Sequence, residues 1–361
     1  MKPTQQLHDL GQSLWLDNIT RDLLTSGTLA SYRDNLSVTG LTSNPTIFDH
    51  AIRNSAAYDE SIRKRTTQGK SGDAMFYELA LEDLTQAANI FKPIYDSTKS
   101  MDGWVSLEVS PLLAYDTATT IKEVAQVRAQ SNLPNLFIKI PGTPAGVPAI
   151  EESIFEGIQV NVTLLFSREQ YIQSAEAYLR GIERRIAAGR DPKVHSVASV
   201  FISRWDKAIE GKVSNDLRNR LGIAIAKRTY KAYRELLQSQ RWQKLAKAGA
   251  VRQTLLWGST GTKDPDASDV MYVEALAAPE TINTIPEKTL LAFADHGQVK
   301  GALPDDGGDA EQVLAEFSKA GVDIAELAER LQREGAEAFN KSWNDLMSCL
   351  RTKSETVKKA S

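Results

Sequence analysis

Short apolar runs alternating with longer helix-patterned stretches are the feature that most restricts how this chain folds. The runs with strand character are "LWLDNI" (14–19), "SVTGLTSN" (37–44), "WVSLEVS" (104–110), "LFIKI" (136–140), "IQVNVTLLF" (158–166), "HSVASVFIS" (195–203) and "TLLWGST" (254–260), with a weaker eighth at "TINTI" (281–285). Between them, Phe76, Leu79, Ala80, Leu84 and Ala87 recur at helical spacing within 72–95. The stretch 167–189 opens on Ser167, a helix-capping residue type, and stops at Gly189. Such alternation predicts a parallel sheet, because parallel neighbours need a crossover long enough to hold a helix. With seven or eight units and no dinucleotide fingerprint, the expected fold is an α/β closed (β/α)8 TIM-type barrel rather than an open sheet. One domain is expected over 1–361, with the barrel over 12–300 and a helical extension over 301–361 packed on it. In that extension Leu327, Leu331, Phe339, Trp343, Leu346 and Leu350 fall on one stripe, and the polar end "RTKSETVKKAS" is expected to fray.

Composition removes several function classes. A net charge of −3 gives no global field for nucleic acid or an anionic membrane. No apolar run approaches the roughly 18 residues of a membrane span, and "MKPTQQLHDLGQSLW" lacks the basic-then-apolar pattern of a secretory leader. The single cysteine, Cys349, excludes an internal disulfide, so a cytoplasmic location is expected. His8, His50, His195 and His296 are scattered without zinc spacing, and no transition metal is expected.

The segment "NLFIKIPGTPAG" places Lys139 among Leu136, Phe137, Ile138 and Ile140. Strand side chains alternate between faces. In a parallel barrel one face meets helices and the other lines the interior. The parity that sends Leu14, Leu16, Val105, Leu107, Ile138, Val160 and Val162 outward sends Asp17, Glu108, Lys139, Asn161 and Thr163 inward. Thr42 and Asn44 alternate with Leu41 and Ser43 in the second run. Taken singly, each acidic residue reads as solvated or helix-capping, Lys139 as a side chain reaching back to water, and Asn161 and Thr163 as mutually satisfied. Five polar groups of one parity on four strands, near the strand ends where barrel active sites are built, read as a site.

Burial disfavours the charged form of a lysine, and a neutral amine attacks a carbonyl to give a Schiff base. The accompanying proton transfers need nearby acids and bases, which Asp17 and Glu108 supply. Asn44 and Asn161 suit a polyhydroxylated substrate because they hydrogen-bond without adding charge. This is the constellation of a class I aldolase-type enzyme.

"LWLDNITRDLL", "GLTSNPTIF", "LEVSP", "LFIKIPGTPAG", "NVTLLFS", "SVASVFISRWD" and "WGSTGTKDP" together resemble the transaldolase family, most closely its longer bacterial branch, from about residue 10 to beyond 270. The resemblance implies a barrel without metal or organic cofactor. It implies an enzyme of the pentose phosphate pathway that moves a dihydroxyacetone unit from sedoheptulose 7-phosphate to glyceraldehyde 3-phosphate. Carried over by motif, Lys139 is the Schiff-base lysine and Asp17 the acid/base of the carbon–carbon step. Glu108 and Thr163 position a catalytic water, Asn44 and Asn161 hold substrate hydroxyls, and Ser199 lines the pocket. Arg204 corresponds to a phosphate-binding arginine. Ser259 and Lys263, in "GSTGTK", match further phosphate contacts, where shorter transaldolases carry an arginine instead. The loop lacks P-loop spacing. Some relatives are fused to a sugar-phosphate isomerase, and the end at Ser361 is expected to exclude that second enzyme. Partners expected on this reading are sugar phosphates, with no nucleic acid or membrane, in a monomer or homodimer. Two other readings fit parts of the pattern. One is an aldolase that releases free dihydroxyacetone. The other is a non-catalytic sugar-phosphate sensor in which Lys139 only pairs with phosphate, although a sensor needs no base.

Overall fold

The structure is a computed structural model, which describes residues 1–359. Eight parallel strands among these residues close into a barrel in sequence order, the last pairing with the first. They are β1 (Gln12–Asp17), β2 (Val38–Thr42), β3 (Val105–Glu108), β4 (Leu136–Pro141), β5 (Val160–Leu165), β6 (Ser196–Phe201), β7 (Gln253–Gly258) and β8 (Thr281–Ile285). Each falls within or overlaps one of the eight apolar runs. The helical stretches also form: 72–95 lies within Gly72–Ser97, and Ser167 caps Arg168–Ala187 in a reciprocal capping box with Gln170.

The pleat explains why these runs become strands. Leu14, Leu16, Leu107, Ile138, Val160 and Val162 are buried in the main core, which is shared with the surrounding helices. The opposite face fills the barrel in layers. Trp15, Trp104, Phe137, Val197, Leu256 and Ile282 form a separate apolar cluster, in which Trp104 stacks on Phe137 with centroids 4.2 Å apart. Two residues further along the same strands come Asp17, Ser106, Lys139, Ser199, Gly258 and Thr284. The apolar layer is therefore the floor beneath the polar one. Gly40 makes this floor possible. A Cβ there would lie 2.6 Å from the Trp104 carbonyl oxygen and 2.8 Å from Trp15 Nε1.

The C-terminal helix, Ile324–Lys359, packs across the ends of the strands. It touches the helix Pro45–Asn54 after β2, the turn Pro111–Leu113 after β3, β5 itself and the helix Ser203–Ala208 after β6. Its expected stripe is buried in two parts. Leu327, Leu331 and Phe339 join Phe166, Phe201 and Trp205, whereas Trp343, Leu346 and Leu350 enter the main core. The expectation of a frayed end over 351–361 is corrected for residues 351–359, where the helix continues to Lys359; residues 360–361 lie outside the described residues. Lys353 Nζ holds the Asp59 carboxylate at 2.7 Å and the Ser55 carbonyl at 2.9 Å, and Val357 is buried. No helix among the described residues is long and apolar enough to cross a membrane.

Candidate active site

Register builds the centre of the site. Glu108 pairs with Lys139 across β3 and β4, and Lys139 with Asn161 across β4 and β5, so three adjacent strands hold these side chains in a row. Lys139 is only 5% exposed, which excludes a lysine reaching back to bulk water. Its Nζ donates to the Ser43 carbonyl at 3.0 Å and lies 3.4 Å from Glu108 Oε2. Burial pushes the Glu108 carboxyl up. The Lys139 charge opposes that rise, the Asp17 charge adds to it and the Arg204 charge subtracts. Neither Glu108 oxygen has a well-directed hydrogen bond among the described residues, and neither does Thr163 Oγ1.

Asp17 sits on β1 beside Thr42 of β2. Burial raises its pKa, while the Lys139 charge, the Thr42 hydroxyl and the Lys263 charge pull it back. Thr42 Oγ1 is 2.7 Å from Asp17 Oδ1 and 2.6 Å from Thr284 Oγ1, so hydroxyls of β2 and β8 fix the carboxylate. On the other side, Asn161 donates to Ser106 Oγ at 3.2 Å and accepts from Ser199 Oγ at 2.7 Å. Its amide is thereby oriented across β3, β5 and β6. Asn44 caps the helix Pro45–Asn54 by accepting from the Ile47 N–H at 3.0 Å. Its Nδ2 is unengaged among the described residues.

The cationic candidates lie further out. Arg204 follows β6, half-buried, with its guanidinium carbon 5.4 Å from the Phe201 ring centroid and 5.8 Å from that of Phe339. Burial lowers its pKa, and the Glu334 and Glu108 charges resist the fall. No hydrogen bond or ion pair engages it among the described residues, so its planar fork is available to an oxyanion. Ser259 has a left-handed backbone (φ 55°), and its hydroxyl lies 2.8 Å from Ser203 Oγ. Lys263 is exposed and has no ion pair among the described residues. Two residues after Arg204, Asp206 ties its helix to the helices beginning at Leu221 and Met271. Its carboxylate accepts from the Leu221 and Gly222 N–H groups at 3.0 and 3.1 Å and from the Tyr272 hydroxyl at 2.7 Å. Burial pushes Asp206 up to about 6.

The structure thus places Asp17, Glu108, Lys139, Asn161, Thr163 and Ser199 on the inward face of the barrel strands, above the apolar floor. Asn44, Arg204 and Ser259 lie just past the strand ends, and Lys263 stands at the exposed rim. Sequence reasoning did not give Thr284, Ser106, the Ser43 carbonyl or Phe339 a place in the site. Inward parity was the available signal for Thr284 and Ser106. None existed for Phe339, which arrives from the C-terminal helix. A groove of about 1200 Å3 beside that helix, lined by Tyr115, Gln170, Gln332 and Arg333, does not include Lys139.

A buried lysine against a carboxylate, with a second carboxylate and aligned amides nearby, can perform amine–carbonyl chemistry on a hydroxylated substrate. The transaldolase/fructose-6-phosphate aldolase family matches residues 14–350. A transaldolase of Parafrankia sp. (strain EAN1pec) is 42% identical over 359 residues, covering 97% of each chain. One of Saccharopolyspora erythraea is 42% identical over 98% of each chain, and one of Thermobifida fusca 43% identical over 96% of each. Strand order, interior lysine and near full-length similarity converge: this chain belongs to the transaldolase/fructose-6-phosphate aldolase family.

Proposed function

We propose that this chain is a transaldolase that works through a Schiff base on Lys139. It transfers a dihydroxyacetone unit from sedoheptulose 7-phosphate to glyceraldehyde 3-phosphate, giving erythrose 4-phosphate and fructose 6-phosphate. The observation that carries the reading is Lys139 Nζ, buried and 3.4 Å from Glu108 Oε2. Moving one proton across that gap leaves a neutral amine and a neutral acid, and burial favours the neutral acid. The amine adds to the ketose carbonyl. Glu108 returns its proton, through a water held with Thr163, to the departing carbinolamine hydroxyl. Asp17 takes the proton of the hydroxyl beside the bond that breaks. The bonding electrons move onto the iminium nitrogen, the aldose phosphate leaves, and an enamine remains. An aldose acceptor then reverses the steps. Asn44, Asn161 and Ser199 hold substrate hydroxyls, while Arg204, Ser259 and Lys263 take the phosphate.

On this reading the chain is a cytoplasmic enzyme of the pentose phosphate pathway, acting without metal or organic cofactor as a monomer or homodimer. The names of the relatives, which span nearly the whole chain, support transfer over release of free dihydroxyacetone. The test is a coupled assay with the two sugar phosphates, joined to borohydride capture with fructose 6-phosphate. Wild type is expected to gain a covalent adduct on Lys139 and Lys139→Ala none. An adduct on another residue, or sustained release of free dihydroxyacetone without an acceptor, overturns the proposal.

A further inference from the structure

Gln332 belongs to the C-terminal helix and is 7% exposed. Its Nε2 donates to two carbonyls, Gly142 O and Leu164 O, both at 3.0 Å. These carbonyls close two neighbouring strands. Gly142 follows β4, which carries Lys139, and Leu164 lies in β5 directly after Thr163. The same place is already irregular. The pairing of β5 with β6 shifts register between Val162 and Leu165, and Leu164, a fully buried leucine, has φ +57°. A non-glycine residue in that region is strained, and surrounding structure must hold it there. The Leu164 side chain turns away from the main core into the cluster with Phe166, Phe201 and Phe339. Its carbonyl turns toward the C-terminal helix. Gly142 N–H donates to Thr163 O at 2.7 Å, so the three residues form one hydrogen-bonded unit with Gln332.

A primary amide suits this role because it offers two N–H donors on one nitrogen, one for each carbonyl. The helix buries both carbonyls, and buried carbonyls require donors. Gly335, one turn further on, lets the helix approach. A Cβ there would lie 3.0 Å from the Leu164 side chain and 3.2 Å from an Arg204 nitrogen.

Building on the transaldolase reading, we propose that Gln332 is a positioning residue for the reaction. It clasps the ends of β4 and β5 and thereby fixes Lys139 against Thr163, which makes the C-terminal helix a working part of the site. The clasp acts through the backbone of the strands and touches no substrate.

The test compares wild type with Gln332→Ala and Gln332→Met, the second keeping volume while removing both donors. Each is measured for kcat and KM with saturating acceptor, for the rate of borohydride-trapped adduct formation with fructose 6-phosphate, and for Tm. Loss of alignment is expected to lower kcat and the adduct rate together by roughly tenfold to a hundredfold. KM stays within about threefold, because the phosphate and hydroxyl contacts are untouched. A fall in Tm with kcat and adduct rate unchanged within about twofold at 25 °C makes Gln332 purely structural and overturns the proposal. If Gln332→Met does not fold, Gln332→Ala, which admits water to both carbonyls, carries the comparison. A wild type that forms no adduct sinks the Schiff-base reading itself. A wild type that forms it at the same rate as both variants sinks only the clasp.

Discussion

Lys139 Nζ and Glu108 Oε2 face each other across adjacent strands at 3.4 Å, with the lysine also donating to the Ser43 carbonyl at 3.0 Å. The amine is thus held from two sides, by a group that can share its proton and by one that only accepts. Glu108→Gln keeps the shape and removes the acid. Its kcat is expected to fall about a hundredfold to ten-thousandfold, the range for loss of a general acid/base. The adduct with fructose 6-phosphate should form correspondingly slowly, as followed by mass spectrometry after borohydride quenching. Full-rate adduct formation in this variant removes Glu108 from the dehydration step.

Asp17 lies on β1, its carboxylate held by Thr42 and interacting electrostatically with Lys139. In Asp17→Asn the Schiff base should still form while carbon–carbon cleavage stops. Borohydride capture then succeeds and the coupled assay reads about a hundredfold or more below wild type. Loss of both readouts together assigns Asp17 an earlier role.

Arg204 lies 5.4 Å from the Phe201 ring centroid and 5.8 Å from that of Phe339, with no ion pair to a carboxylate among the described residues. A charged hydrogen bond to phosphate is worth about 1.5–3 kcal/mol, so Arg204→Ala should lower kcat/KM for phosphorylated donors by roughly tenfold to a hundredfold. Free dihydroxyacetone or fructose as donor should be nearly unaffected. Lys263, at the exposed rim, is expected to matter only a fewfold on the same substrates. Equal losses with phosphorylated and unphosphorylated donors place Arg204 outside phosphate recognition.

Two buried groups tilt stability with pH in opposite directions. Asp206 titrates near 6 when folded instead of 3.8, because burial penalises its charge, so the folded state holds its proton more tightly. Its contribution is full below the ordinary value and is lost as pH rises toward 6, by about 3 kcal/mol. His195, lowered from 6.5 to about 4 by burial and by the Lys193 charge, does the reverse. Its contribution is present above 6.5 and is lost as pH falls through 4. Urea unfolding between pH 4 and 6.5 checks both. Relative to wild type, Asp206→Asn should gain stability as pH rises and His195→Gln should lose it. Parallel profiles for both variants contradict the assignment.

Gly40→Ala should cost about 1–3 kcal/mol through overpacking, since its Cβ meets the Trp104 carbonyl and the Trp15 ring within 3 Å. Thermal unfolding reads this directly. An unchanged Tm means that the floor of the barrel yields.

Most of the strands were legible because strands such as β1, β3, β4 and β5 carry aliphatic residues at alternate positions, and that same parity pointed Asp17, Glu108, Lys139, Asn161 and Thr163 to one interior. What stayed hidden depends on distant chain. Phe339 reaches Arg204, and Gln332 reaches β4 and β5, from a helix whose periodicity shows only that one stripe is buried. The left-handed turn at Leu164 leaves no trace in "NVTLLF", since leucine has no preference for it. The continued helix beyond 350 depends on Lys353 finding Asp59, an ion pair that no local pattern encodes.

The six-residue apolar plug beneath the polar layer also has a kinetic corollary. The plug closes the barrel end below the polar layer, so on the proposed transfer the leaving aldose and the incoming acceptor both pass the same C-terminal end of the strands. The departing aldose must vacate before its successor can settle. Double-reciprocal plots at several acceptor concentrations should therefore run parallel, the signature of exchange by turns.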